Sequence, residues 1–574
     1  MSEKKTCSQC NQQFEIGDWD IEFLKNISPT FDGEKFDIPM PTLCKECRCQ
    51  RRMIWRNNRI LYRRKCDLCK KETVSMYSGD KEYEVYCNDC WWSDKWSPLD
   101  YGRDFDGSRP FFEQFGELQR AVPRIALMNK NPENSEFCNF AGYNKDCYLA
   151  TSSWNNENCF YTVRIGHCKD CVDCQFLIEG ELCYRVVSGS KLYKCFFCIG
   201  VYDSSECYFS VDLKGCNHCI FSSNLRNKSY FAYNKPCTKE EFEGLVRDIG
   251  NNEKLLNMQN TFKEVIISAI YPSSNLNNCD NCTGDGLDNC KNVKEGFDAF
   301  DIQDAKYFIN GESAQDVMDG TNIGIGKTQL IYESISTGDG AYNCLFGYGN
   351  WAANDCYYCD TVIGSSNCFG SVCMKKYEYC ILNKQFSKSD YEKQVAKIIN
   401  HMKNSGEWGE FFGLGLSPFG YNEAIVNEYF PLSQSDATKL GAKWQENDFS
   451  PQYDSQVYFP LNDIDAYIAS QEKTEEAVRG VIVCTKSGKP FKIMPNEMVF
   501  YIKNNIALPR THYSVRFDEL FNTLNPRRLW ERGCMCEIQG HGHDGKCQNR
   551  FMTPFSSERE ERVYCESCYQ KSIV

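Results

Sequence analysis

Cys183-Tyr-Arg-Val-Val-Ser-Gly-Ser-Lys-Leu-Tyr-Lys-Cys195-Phe-Phe-Cys-Ile-Gly-Val-Tyr-Asp-Ser-Ser-Glu-Cys207-Tyr-Phe-Ser-Val211 is the stretch on which the fold turns. A cysteine returns every twelve residues and opens a short aromatic or aliphatic run, with Gly, Asp and Ser between the runs. The spacing extends both ways, through Cys147, Cys159, Cys171, Cys183, Cys195, Cys207 and Cys219 to Phe231. Short apolar strands at constant spacing, separated by turn formers, predict a β-solenoid in which equivalent residues stack. Alternate members differ. Cys171, Cys195 and Cys219 each have a second cysteine three residues away, whereas Cys159, Cys183 and Cys207 do not. That alternation predicts a coil of about 24 residues holding two similar strands.

Further along, Cys344, Cys356, Cys368 and Cys380 step by twelve again. Both periodic segments run into a helical pattern with a Thr or Ser cap followed by acids, 238 to about 249 and 387 to about 402. Such helices would cap open solenoid ends, whose exposed edges invite aggregation. The repeated thiols have two readings. Cysteine is a small apolar residue that stacks well in a narrow coil; alternatively Cys168, Cys171, Cys174, Cys195, Cys198, Cys216 and Cys219 bind additional metal. The first is preferred, because a twelve-residue ladder needs no metal to explain it.

The chain ends carry a different pattern. Cys7-x2-Cys10 is followed 33 residues later by Cys44-x2-Cys47, and Cys66-x2-Cys69 is followed 17 residues later by Cys87-x2-Cys90. Tetrahedral zinc takes four soft thiolates, and Cys-x-x-Cys sets two of them on one tight turn, so two such knuckles close one site. Cys49 is an extra thiol outside this scheme. The carboxy-terminal hundred residues repeat the layout, with Cys484, Ser487, His512 and Val515 in place of Cys7, Cys10, Cys44 and Cys47. One thiol and one imidazole do not hold zinc alone, so that site is expected to be lost. The second survives as Cys534, Cys547, Cys565 and Cys568. An insertion between its first two ligands adds Cys536, His541 and His543. Either Cys534 or Cys536 serves as the ligand, with His543 as a substitute. About three zinc ions per chain are expected, in closed sites without the open position that catalysis needs.

Between the amino-terminal sites, residues 45–65 hold nine basic residues and one acid, interleaved with Trp55, Ile60, Leu61 and Tyr62. Arg48, Arg51, Arg52, Arg56, Arg59, Arg63 and Arg64 are candidates for phosphate contact, with aromatics to stack on bases. The opposing reading is a face whose arginines pair with acids. Over residues 1–100 the 17 basic and 17 acidic side chains balance, and the whole chain of 574 residues carries −13. That sign argues against wholesale wrapping of nucleic acid.

No run of about 18 apolar residues is present, so no membrane span is expected. The start, Met1-Ser-Glu-Lys-Lys-Thr-Cys7, lacks the apolar segment of a secretory signal. A cytoplasmic location is therefore expected, and 37 cysteines in a reducing compartment read as metal ligands or buried thiols rather than disulfides. Gly320-Thr-Asn-Ile-Gly-Ile-Gly-Lys-Thr328 resembles a phosphate loop, but Thr321 stands where the first glycine belongs, so no nucleotide cofactor is expected. No catalytic residue is identified: His167, His218 and His401 have no triad context.

Several motifs resemble those of a family of large cysteine-rich zinc-ribbon proteins from small-genome candidate-phylum bacteria. They are Pro41-Thr-Leu-Cys-Lys-Glu-Cys-Arg-Cys-Gln-Arg-Arg52, Leu61-Tyr-Arg-Arg-Lys-Cys-Asp-Leu-Cys69, Tyr86-Cys-Asn-Asp-Cys-Trp-Trp-Ser-Asp-Lys-Trp96, Ser417-Pro-Phe-Gly-Tyr-Asn422 and Glu428-Tyr-Phe-Pro-Leu432. The resemblance implies cytosolic zinc binding and a bacterial origin, and no activity.

The expected architecture is a mainly β multidomain chain with terminal zinc-ribbon modules flanking two cysteine-rich, parallel β-helix-like solenoids with short capping helices. Its segments are a tandem zinc-ribbon module (1–100), a linker with a helix (101–133), the first solenoid (134–236), a helical cap (237–272), the second solenoid (273–386), a helical cap and irregular linker (387–478) and a degenerate module copy (479–574). The expected function is a non-enzymatic scaffold that contacts an RNA or protein partner through residues 45–65. The alternative is a thiol-redox or metal-storage protein that uses the solenoid cysteines.

Overall fold

The computed structural model describes residues 3–447 and 453–573, with the side chain of Ile325 left out. Strands dominate, arranged in several sheets, with short helices between them. The described residues form two compact units. One comprises 3–127, 274–447 and 527–529, the other 128–273, 453–526 and 530–573.

In the second unit, the strands Val163–Gly166, Gln175–Glu181, Val187–Tyr193, Phe196–Lys214, Asn217–Ile220 and Ser229–Ala232 pair in parallel. Val163 faces Gln175, Gln175 faces Val187, Val187 faces Ile199, and Cys207 faces Cys219. Each step is twelve residues, not the 24 expected from the alternating cysteine pairs. The backbone supplies the reason. From Tyr161 to Glu179 every third residue has a left-handed φ of 50–57° (Tyr161, Arg164, His167, Asp170, Asp173, Phe176, Glu179). Twelve residues thus contain four three-residue segments, and the residue on the inner side also recurs every three. Cys168, Cys171, Cys174, Leu177, Cys183, Val186, Leu192, Cys195 and Cys198 form that inner row, each at most 2% exposed. The extra cysteines therefore belong to the same row as the periodic ones.

Left-handed φ costs a non-glycine residue roughly 1–2 kcal/mol, and Asn and Asp tolerate it best. Those residues occupy many of the corners and bond one another one turn apart. Asn134 donates to Asp146, Asn224 to Asp212, Asn292 to Asp304 and Asn343 to Asp355, at 2.6–3.0 Å. The inner row is narrow: a Cβ on Gly189 would lie 2.7 Å from the Val201 carbonyl oxygen. Thiols and hydroxyls in it donate to backbone carbonyls two residues back, Cys195 to Tyr193 at 3.5 Å and Ser204 to Tyr202 at 2.7 Å. Cysteine is therefore a compact apolar filler with a weak donor here, interchangeable with serine.

The first unit holds a matching parallel ladder. Gly284 faces Gly296, Phe297 faces Ile309, Cys344 faces Cys356, Cys356 faces Cys368 and Cys368 faces Cys380. Its period departs from twelve at two places: Leu276 faces Leu287 at an offset of 11, and further on Gly324 faces Gly338 at 14 and Gln329 faces Tyr342 at 13. Residues 320–328 lie inside the strand Ile309–Ile335 rather than in a phosphate loop. Both ladders end alike. A tight hairpin turns back, Phe231 against Pro236 and Cys380 against Gln385. At its tip Asn234 bonds the backbone of Ser223 and Asn383 that of Val372, satisfying edge groups. The helices Lys239–Arg247 and Lys388–Ser405 follow, capped by Thr238 and Ser387. Among the described residues, no helix is long and apolar enough to cross a membrane.

Each unit also contains one cysteine module, docked on its ladder by the same contact. The helix Lys45–Met53 places Arg48 over Tyr307, 5.5 Å from the ring centroid, with Nε donating to Asp319 Oδ2 at 2.7 Å and Nη1 to the Leu43 carbonyl at 2.5 Å. In the other unit the helix Tyr513–Phe521 places Arg516 over Tyr161 at 5.0 Å, with Nε donating to Asp173 Oδ2 at 2.7 Å and Nη1 to the Thr511 carbonyl at 2.9 Å. In both, the aspartate stands twelve residues after the tyrosine at a left-handed corner. Asp319 and Asp173 are at most 2% exposed. Removing one partner of so deeply buried a pair strands a charge, at about 3–5 kcal/mol. Arg48→Met and Arg516→Met should each lower unfolding stability by that amount in urea titration. By contrast Arg59→Met, which removes a partly exposed pair with Glu428 at 2.9 Å, should cost less than about 1 kcal/mol.

Candidate metal centres

In each of three four-cysteine sets one ligand pair sits on a hairpin turn and the other spans the first turn of a helix. Cys7 follows the strand Glu3–Thr6 and its backbone closes the knuckle, its N–H donating to the Gln12 carbonyl and its carbonyl accepting from the Asn11 N–H. Cys44 is the N-cap of Lys45–Met53, placing Cys47 in the first turn. Cys66 follows the strand Tyr62–Lys65, and Cys87 caps Asn88–Trp92. Cys534 follows Trp530–Gly533, and Cys565 caps Glu566–Ser572. Unpaired N–H groups at a helix start favour the anionic form of a thiol placed there.

These elements bring together the ligand atoms of Cys7, Cys10, Cys44 and Cys47, then Cys66, Cys69, Cys87 and Cys90, then Cys534, Cys547, Cys565 and Cys568. A fourth group consists of Cys536, His541, His543 and Cys568. Within each group all atoms lie within 4.8 Å of one another, and each group could hold a metal ion. Thiolates about 2.3 Å from a tetrahedral ion such as zinc stand about 3.8 Å apart. The Sγ atoms are 3.7 Å apart for Cys10 and Cys44, 3.9 Å for Cys69 and Cys87, and 4.0 Å for Cys547 and Cys565. The donor sets fit that ion.

Sequence spacing leaves open whether Cys534 or Cys536 completes the carboxy-terminal site. The structure places Cys534 with the other three thiols and Cys536 with the two histidines, so His543 belongs to the neighbouring group. The position of Cys484, Ser487, His512 and Val515 is not among the groups found in the described residues. There His512 caps Tyr513–Phe521, its Nδ1 accepting from the Ser514 N–H at 3.1 Å. Burial and the nearby Lys489 and Arg516 lower its pKa to about 4, so the ring is neutral and committed to the cap. Cys49 faces away from the first centre, and burial raises its pKa to about 11. No ladder cysteine belongs to any of the four groups.

The basic stretch is placed differently from a phosphate-binding surface. Arg48, Arg51, Arg52 and Arg56 are buried. Beside the Arg48–Asp319 pair, Arg52 meets Glu333 at 3.0 Å, Arg51 meets Glu333 at 3.2 Å and Glu410 at 2.7 Å, and Arg56 donates to Ser336 at 2.7 Å. Arg64 pairs with Asp67 at 2.8 Å, while Arg63 is exposed. Burial opposes the charge on Glu333, but Arg51, Arg52 and Arg48 outweigh it and hold the carboxyl below its ordinary value. The acids Asp319, Glu333 and Asp173 carry these docking contacts and had no signal in local sequence; a tyrosine followed twelve residues later by an aspartate is the pattern that marks two of them.

No family model matches the chain, and no curated protein matches it. Among solved structures, one match is to a chain described as a "putative acetyltransferase" from Desulfovibrio desulfuricans G20. It shows 8% identity and a TM-score of 0.09, over 40% of this chain and 63% of that one.

One thiol in each four-cysteine centre ionises readily. A hydrogen bond from the Cys47 thiol, opposed by burial, lowers Cys44 to about 6. Burial raises Cys66, but the N–H groups of Cys69 and Cys87 outweigh it and bring the thiol to about 7. Burial is likewise outweighed at Cys565 by the Asn549 amide and the Cys568 N–H, giving about 6. All three lie below the ordinary value of 9.0. Their thiolates are thus present at pH 8 and protonated at pH 5, and metal uptake must displace any proton still bound. Metal-free protein titrated with zinc in weak buffer should release fewer protons per site at pH 8 than at pH 5, as read by a pH indicator.

Proposed function

We propose that the chain is a non-enzymatic scaffold in which the three four-cysteine centres hold structural zinc and the two twelve-residue ladders are solenoids that serve as rigid binding platforms. The observation that carries this reading is the donor chemistry of the centres. Each supplies four thiols from the protein itself on a hairpin turn and a helix start, which fills a tetrahedral shell and leaves no position for substrate. The largely regular twelve-residue parallel offset, with cysteine and aliphatic side chains in one inner row, supports the solenoid reading, since stacked repeats of this kind bury their apolar faces only against each other.

The scaffold's partner is a protein or RNA. Within the basic stretch Arg48, Arg51, Arg52 and Arg56 are engaged inside their own unit, which favours a structural role for them over phosphate contact. The alternative of thiol-redox or storage chemistry needs accessible thiolates. Cys159, Cys195, Cys207, Cys344, Cys356 and Cys368 are fully buried, which favours the filler reading.

Structural zinc contributes folding free energy directly, because the ligands come together only in the folded module. Purified protein should carry zinc, and a strong chelator should lower the melting temperature and open residues 3–100 and 479–573 to limited proteolysis. Cys66→Ser should lose one zinc and loosen only its own module. Metal-free protein with an unchanged melting curve and cleavage pattern would overturn the structural role.

A further inference from the structure

Cys568 belongs to two ligand groups at once. On one side are Cys534, Cys547 and Cys565; on the other are Cys536, His541 and His543. The second set comes from the segment between Cys534 and Cys547, twelve residues long where the amino-terminal module has two. That segment is built to turn its side chains inward. Gly540, Gly542 and Gly545 flank the histidines with φ of 85°, 91° and 64°, values that L side chains rarely adopt. His541 Nδ1 lies 3.3 Å from Cys536 Sγ, and His543 Nε2 lies 3.4 Å from Cys568 Sγ.

The tautomer of His543 is set from outside the group. Its Nδ1 is 2.8 Å from the Gly545 carbonyl, which only accepts, so Nδ1 carries the proton and the Nε2 lone pair points at Cys568. A backbone carbonyl holding the far nitrogen is the usual way in which a metal-bound imidazole is oriented. Lys571 donates to the His541 carbonyl at 2.7 Å and ties the loop to the helix that bears Cys568.

We infer that the carboxy-terminal module holds two metal ions bridged by the Cys568 thiolate, one completed by Cys534, Cys547 and Cys565 and the other by Cys536, His541 and His543. This rests on the structural-zinc reading above and raises the count from three ions to four. The charges favour it. Four thiolates around one divalent ion leave −2; a second divalent ion with one more thiolate and two neutral imidazoles brings the pair to −1. Each thiol gives up its proton to solvent as the ion binds. The module thus has two ions despite losing the position of Cys484 and His512.

The test uses the full chain. Elemental analysis and native mass spectrometry should give four zinc ions for the wild type and three for His541→Ala/His543→Ala, whose changes lie on a partly exposed loop. In protein exchanged with cadmium-113, two of the resonances should show mutual coupling through the shared sulfur, and the coupling should vanish in the double variant. Three ions in both proteins would overturn the fourth site while leaving the closed four-cysteine centres intact. Four ions without coupled resonances would overturn the bridge. A wild type holding no zinc would instead overturn the structural-zinc reading itself.

Discussion

The constraint on which both units depend is the width of the inner row. One left-handed residue in every three turns the backbone so often that only one side chain per segment lies inside, and at the tightest positions, as the close approach at Gly189 illustrates, not even a Cβ fits without a shift. Cysteine suits such a row alongside leucine and valine, and its thiol also donates to the carbonyl two residues back. The outward corners are then left with backbone angles that favour Asn and Asp, whose side chains bond one another turn by turn. Thus one geometric limit selects residues at both inner and outer positions.

That selection has a second result. A ladder made this way exposes rows of carboxylates at its corners, and the modules at both chain ends use them. Arg48 and Arg516 reach Asp319 and Asp173 through the same three contacts: an aromatic ring beneath, a corner carboxylate beside and the backbone carbonyl of their own module. The guanidinium suits this role because its planar donors meet all of these at once. The helix that carries the arginine also carries metal ligands in the amino-terminal module, so the Cys44–Cys47 centre and the docking contact position each other.

Local sequence makes some of this legible and conceals the rest. Spacing identifies Cys7 to Cys47 and Cys66 to Cys90 as ligand sets, because in each set two Cys-x-x-Cys pairs stand outside the twelve-residue period that carries the other closely spaced thiols. The same logic fails where an insertion separates partners, so Cys534 and Cys536 are not distinguishable until the chain is folded. The twelve-residue period is visible, yet the coil length it implies is misjudged: the paired cysteines at 168, 171 and 174 look like a second kind of strand and are consecutive members of one inner row. The arginine-rich stretch is the plainest limit. Its charge pattern is genuine, but the acids that neutralise its buried members Arg48, Arg51 and Arg52 lie more than 250 residues away, at Asp319, Glu333 and Glu410.

A strictly periodic ladder has no landmarks, since every rung is equivalent to the one beside it. The first unit's ladder breaks that equivalence where the offset grows to 13 and 14, and Asp319 and Glu333 stand on either side of the break. Arg48 and Arg52 contact that pair together. The irregular turn therefore sets the separation of the two carboxylates that Arg48 and Arg52 meet. In the second unit, where Arg516 meets Asp173 on a regular twelve-residue step, side chains alone mark the place.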